Sequence, residues 1–174
     1  MGIKGVLAWR FVAKKINADF VRHFLRCIIE YLGQKYSDPN DIYRELKKIY
    51  KYTGELIYIR YLQATKRPAE SLRDLVPTYN LGFKFFTGKP FDKIEYKEEG
   101  KDVYITYRIR DCPFCRGMEV PIKVPFCLFF AGVLEWIEEQ RLEDWNAESI
   151  TCDEVKCKML GDDVCEYRAH IKLK

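Results

Sequence analysis

The residues before the terminal lysine alternate strictly. Cys165, Tyr167, Ala169, Ile171 and Leu173 fall on one face, and Glu166, Arg168, His170 and Lys172 on the other. A period of two with one apolar face is a half-buried β-strand. The spacing predicts a partner strand at about 149–157, joined through a turn containing Gly161-Asp162-Asp163. A second hairpin is expected upstream. Phe91–Lys97 and Asp102–Arg110 flank Glu-Glu-Gly-Lys, and Val103, Ile105, Tyr107 and Ile109 alternate with polar residues and Tyr104.

Elsewhere the period is helical. Over 18–33 the apolar stripe is Phe20, Val21, Phe24, Leu25, Ile28 and Leu32, opposed by Asp19, Arg22, Arg26 and Glu30. Cys27 is expected as an inert core thiol and His23 at the surface. Asp38-Pro39 opens a second helix with Pro39 at its first position. Ile42, Leu46, Ile49 and Thr53 form its apolar face. Gly54 is expected to weaken or interrupt it before it resumes through Tyr61. Lys66-Arg67-Pro68 reads as a turn. A shorter helix from about Ser71 is expected to break near Pro77 and continue to Phe86. After a loop at 112–123, Pro125 starts a helix with Phe126, Phe129, Phe130, Val133, Leu134 and Ile137 on its apolar face.

Helices gathered before and between hairpins imply an α+β fold. The expected architecture is a mostly antiparallel sheet packed with helices and preceded by two long amphipathic helices, all in one domain over 1–174. Residues 1–65 form its helical N-terminal part. The apolar faces of 18–62 exceed what one small sheet covers, so a homodimer is expected, with two-fold pairing the commonest closure.

Composition narrows the function. No apolar run approaches the roughly 20 residues of a membrane span, and the N-terminal apolar run is too short for a signal peptide. The expected setting is cytoplasmic, with no membrane partner. The net charge of +4 arises from 30 basic and 26 acidic residues mixed along the chain, which argues against nucleic acid. Abundant Lys and Glu with few Gln and Asn point to a thermophile. His23 and His170 are the only histidines, and neither sits in an acid–base or nucleophile pattern. No phosphate-binding Gly-rich loop is present. The expectation is a protein that binds rather than transforms. Aromatic residues reach 15%, enough for a large core or for an aromatic-lined pocket.

Seven cysteines, an odd number, in a reducing compartment favour metal binding or burial over disulfides. Cys157 and Cys165 flank the turn of the last hairpin. Opposed residues there have Cβ atoms about 4.5–5.5 Å apart, so two thiolates can share one zinc with Zn–S distances of about 2.3 Å. Cys127 falls in the first turn of the 125–140 helix, where unpaired N–H groups favour a thiolate. Cys112-Pro-Phe-Cys115 is a further pair in a loop. A zinc site drawn from Cys112, Cys115, Cys127, Cys157 and Cys165 stands beside two other readings, buried spectator thiols and a redox pair. The redox pair would need a helix starting at Cys112.

Cys127-Leu-Phe-Phe-Ala-Gly132, Glu154-Val-Lys-Cys157 and Lys-Met-Leu-Gly161-Asp-Asp-Val-Cys165-Glu-Tyr together resemble the 4-vinyl reductase domain family over about residues 70–174. The resemblance implies a mixed α+β ligand-binding core, similar in fold to nitric-oxide sensor domains and vesicle-tethering transport subunits. It implies binding of an apolar or aromatic small molecule. It also implies a structural zinc held by Cys127, Glu154, Cys157 and Cys165. Glu154 and Cys157 are three residues apart and would point to opposite faces of a regular strand. A bulge is therefore expected between them, or else Cys112 or Cys115 replaces Glu154. The alternative functions are a scaffold or assembly subunit, or a reductase acting on a vinyl-bearing tetrapyrrole.

Overall fold

Helix α1 (Lys14–Lys35) buries Leu25, Ile29 and Leu32, residues spaced to share one face. The expected stripe is only half right. Phe20 and Phe24 are 68% and 56% exposed, Cys27 is exposed rather than in the core, and Tyr31 is also exposed. The apolar surface of α1 is wider than the single face its neighbours cover, and its aromatic edge is left outside. His23 is exposed, as expected.

The computed structural model describes residues 14–65, 71–115, 118–119, 122–125 and 127–174. The expected turn at Lys66-Arg67-Pro68 and the apolar position Phe126 lie outside them.

Helix α2 (Pro39–Thr65) is continuous, so Gly54 does not interrupt it. Ile42, Leu46, Tyr50 and Gly54 form its buried ridge, while Ile49 is 38% exposed. Gly54 is there for contact. A Cβ on it would stand 2.8 Å from Trp136 Cβ, on the helix packed against it. Helix α3 (Leu75–Thr87) follows a short 3₁₀ turn at Leu72–Asp74 and runs through Pro77 without a break. Pro77 lies in the first turn, where a backbone N–H has no intrahelical acceptor to lose. Gly88, at a φ of 83°, ends the helix with its N–H on the Lys84 carbonyl.

Strands β1 (Lys93–Glu99), β2 (Asp102–Ile109), β3 (Ala147–Lys156) and β4 (Cys165–Leu173) form one antiparallel sheet in the order β1-β2-β4-β3. Val103, Ile105, Tyr107 and Ile109 are buried, as are Tyr167, Ala169 and Ile171 opposite them. Glu166 departs from the alternation. It is buried because Arg108 Nε reaches it at 2.6 Å and Arg168 at 3.2 Å.

Helix α4 (Leu128–Glu139) lies between the sheet and α2 and is buried along most of its length. A Cβ at Gly132 would stand 2.7 Å from Tyr50 Cβ and 3.1 Å from the α2 backbone, so α2 and α4 meet through Gly54 and Gly132. The three layers are α2, α4 and the sheet, with α1 against α2 and the aromatic core beside α4. That core includes Phe83 stacked on Phe91 at 3.9 Å and Phe130 edge-on to Tyr167 at 5.8 Å. Part of the aromatic excess goes into this core.

Candidate metal centre

Four elements meet at one corner of the sheet, the ends of β2 and β3 and the starts of α4 and β4, and each brings a thiol. Ile109, the last residue of β2, pairs with Cys165, the first residue of β4. The chain leaving β2 therefore brings Cys112 beside Cys165. Phe114 anchors this loop by packing on Phe130 at 5.1 Å and on Phe129 at 6.2 Å, and Arg22 of α1 donates to the Pro113 carbonyl at 3.4 Å. Cys127 is the residue preceding α4, one position before its first turn. Cys157 follows β3, its N–H donating to Asp162 Oδ2 at 2.8 Å across the hairpin turn. Gly161, at a φ of 102°, supplies the left-handed residue that closes this turn.

The sulfurs are in contact. Cys127 Sγ lies 3.1 Å from Cys112 Sγ and 2.8 Å from Cys115 Sγ. Cys115 Sγ lies 3.5 Å from Cys165 Sγ and 4.0 Å from Cys157 Sγ. All five are buried and none forms a disulfide. Both cysteines of the Cys-x-x-Cys loop lie among these sulfurs, in a group of four with Cys127 and Cys165.

Glu154 arrives by the expected irregularity. It pairs with Tyr167 while Lys156 pairs with Glu166, so Val155 is the extra residue of a β-bulge. The bulge turns Val155 outward, 43% exposed, and leaves both Glu154 and Cys157 inside. The Glu154 carboxylate is 6% exposed, and neither of its oxygens has a conventional hydrogen-bond partner. Among the described residues no lysine or arginine forms an ion pair with it. Glu154, Cys157 and Cys165 place ligand atoms within 4.8 Å of one another, and so do Cys112, Cys115, Cys127 and Cys165.

The electrostatics are unbalanced. Cys112 is held far below the ordinary thiol range, first by hydrogen bonding from Cys115 and then from Cys127 and Cys165. Cys115, the donor, is raised in consequence. Cys165 is pushed up by Cys112, but contacts from Cys115, Cys127 and Cys157 outweigh this and draw it down to about 4. Burial raises Cys127 and Glu154, and the charges of Cys157 and Cys165 raise Glu154 further. Cys112 and Cys165 thus favour the thiolate in a buried place where, among the described residues, no lysine or arginine forms an ion pair with them. Uncompensated charge is costly there. A buried thiol-and-carboxylate cluster of this kind could hold a metal ion, and its donors suit a thiophilic divalent one.

The other cysteines stand apart. Cys152 is buried on β3 beneath α4, and its N–H donates to Glu135 Oε2 at 2.7 Å. That glutamate belongs to a network the sequence reading passed over. Lys47 Nζ lies 2.8 Å from Glu135 and 2.7 Å from Asp153, and Lys51 Nζ lies 3.1 Å from Glu135 and 2.7 Å from Glu139. Lys47 and Lys51 at helical spacing on α2, with Glu135 and Glu139 at the same spacing on α4, were the available signal. His170 is half-exposed, bonded to Asp102 at 2.6 Å and stacked on Tyr104.

A cleft of about 820 Å³ opens between α1, the end of α3 and the end of the sheet. Phe83, Phe91 and Ile109 give it an apolar floor, and Arg22, Lys89 and Asp111 are charged residues of its lining. It borders the thiol corner, since Asp111 and Pro113 flank Cys112.

Fold and corner together describe an α+β domain with a buried thiol cluster at one corner of its antiparallel sheet. Among solved structures the chain is similar to trafficking protein particle complex subunit 3 from Naegleria fowleri, covalently bound to palmitic acid. The TM-score is 0.72 at 18% identity, over 92% of this chain and 99% of that one. The expected likeness to vesicle-tethering subunits therefore holds for the fold. No family model matches the chain, the 4-vinyl reductase family included. No curated protein matches its sequence. Among the described residues no helix is long and apolar enough to cross a membrane.

Proposed function

We propose that this protein binds an apolar or aromatic small molecule without transforming it, on a 4-vinyl-reductase-like core held together by structural zinc. The observation that carries the binding reading is the cleft of about 820 Å³ with its floor of Phe83, Phe91 and Ile109. The solved neighbour of the same fold carries a lipid chain, palmitic acid. Zinc is supported by the thiol-rich donors and by the unpartnered buried carboxylate of Glu154. Cys127, Glu154, Cys157 and Cys165 are its proposed ligands. A closed shell of this kind stabilises a fold and leaves no position for substrate.

The test is a thermal-shift series with saturated fatty acids and monocyclic aromatic compounds. Binding to the folded state raises the melting temperature with ligand concentration. Phe83→Ser should abolish the shift. No shift with any member would contradict the reading, and turnover of a vinyl-bearing tetrapyrrole with added reductant would replace binding with catalysis.

An assembly role is the second reading, and a different observation favours it. Phe20, Phe24 and Tyr31 leave an aromatic edge on α1 exposed. A homodimer paired through residues 1–65 would cover it. Light scattering at micromolar concentration distinguishes a dimer from the monomer mass, and Phe24→Asp should convert the dimer to monomer.

A further inference from the structure

A single tetrahedral ion takes four donors, and this corner presents six. Five are thiols and the sixth is the Glu154 carboxylate. They divide into two overlapping sets. Cys112, Cys115, Cys127 and Cys165 make a complete four-sulfur set, while Glu154, Cys157 and Cys165 make a second. The ligands proposed above for one zinc are split between the sets, with Cys127 in the first, Glu154 and Cys157 in the second, and Cys165 in both.

We propose that the corner holds two divalent thiophilic ions joined by the Cys165 thiolate. The first is held by Cys112, Cys115, Cys127 and Cys165, and the second by Glu154, Cys157 and Cys165. The inference rests on the metal reading above and extends it from one ion to two.

Geometry supports the division. Sulfurs around one ion at about 2.3 Å stand about 3.8 Å apart. Contacts of 2.8, 3.1, 3.5 and 4.0 Å within the first set bracket that spacing. The second set is built around Glu154, whose two oxygens are both buried and both lack a conventional hydrogen bond. Bidentate coordination by this carboxylate satisfies both oxygens and supplies the third and fourth donors beside Cys157 and Cys165. A thiolate sulfur has lone pairs enough to bind two ions, and Cys165, first residue of β4, is the one donor common to both sets. Charge points the same way. One divalent ion offsets two of the six negative charges of fully ionised donors, and two ions offset four. In a buried site the smaller residue of charge is the less costly.

The whole chain, purified without chelators, decides the matter by elemental analysis and by titration with cobalt(II). Two ions per chain are expected, with sulfur-to-cobalt charge-transfer absorption saturating at two equivalents. The paramagnetic resonance signal of the first cobalt should fall as the second binds, because a bridging thiolate couples the two spins. Cys112→Ser/Cys115→Ser should retain one ion and a folded circular-dichroism spectrum. One ion per chain in the unmodified protein overturns the two-ion centre and leaves the zinc reading standing, whereas no ion overturns both. Two cobalt ions with additive, uncoupled signals would remove the bridge. Iron with inorganic sulfide in place of discrete ions would also contradict the proposal.

Discussion

Helix α4 has an acidic cluster towards each end, and the two are solved differently. Towards its C-terminal end, Glu135 accepts the Cys152 N–H and meets Lys47 and Lys51, with Asp153 and Glu139 closing the network. At its N-terminal end, Cys127 meets Cys112, Cys115 and Cys165, and Cys165 in turn groups with Cys157 and Glu154. Both corners are acidic, and both join α4 to the sheet. One is neutralised by cations written into the chain, and the other has none among the described residues. A cluster that folds with its own counter-ions needs nothing from solution, whereas one without them is neutralised by protons or by a cation from outside.

The largest effect should come from breaking the externally balanced corner. Cys157→Ser should remove bound metal and lower the melting temperature by on the order of 10 °C or more, since each kcal/mol shifts a domain of this size by about 2–4 °C. Metal binding and folding are coupled in such sites. Chelation of the unmodified protein should reproduce the loss, as read by circular dichroism.

The internally balanced corner should break without reference to metal. Glu135→Ala leaves the Cys152 N–H without its acceptor and Lys47 and Lys51 with only Asp153 and Glu139, and should cost about 3 kcal/mol. The urea midpoint should fall while metal content stays unchanged. Loss of metal in this variant would mean that the two corners are one cooperative unit.

Much of this contrast was legible in the sequence. The alternation of Cys165 to Leu173 set the last strand, and the phase conflict between Glu154 and Cys157 demanded the bulge that Val155 provides. Sequence spacing could show that five thiols were candidates but not that Ile109 pairs with Cys165, and that register is what brings Cys112 to the corner. The lysine–glutamate network escaped because charges at helical spacing are most often solvated, and only the crossing of α2 over α4 buries these. Cys27 and Phe24 were misplaced because α1 is apolar over more of its circumference than its neighbours cover. Gly54 read as a weak point because a propensity scale sees its missing side chain, whereas the packing uses the space.

A third acid sharpens the comparison. Glu138 is fully buried, with the Tyr107 hydroxyl donating to it at 3.3 Å. Burial raises it to about 8; Tyr107 and Tyr79 lower it in part, and Glu135 and Glu139 raise it. Cys152, also buried, faces the same charges. The folded state therefore holds a proton that the unfolded chain releases near 4.5. Stability should decline as pH rises across this window, because the folded state binds more protons there. Glu138→Gln should flatten that decline in urea titrations run from pH 5 to pH 9. An unchanged slope would show that another group carries it.

The smallest effect tests the frame both corners share. Gly132→Ala forces a methyl group against Tyr50 and the α2 backbone and should cost about 1–3 kcal/mol, with metal content intact.

Native mass spectrometry of the full chain, purified without chelators, tests the externally balanced corner most directly. The expected result is a folded chain heavier than its sequence mass by bound divalent metal, with the excess lost when acid unfolds it. A folded chain at the bare sequence mass, with the same melting temperature before and after chelator, would contradict the account.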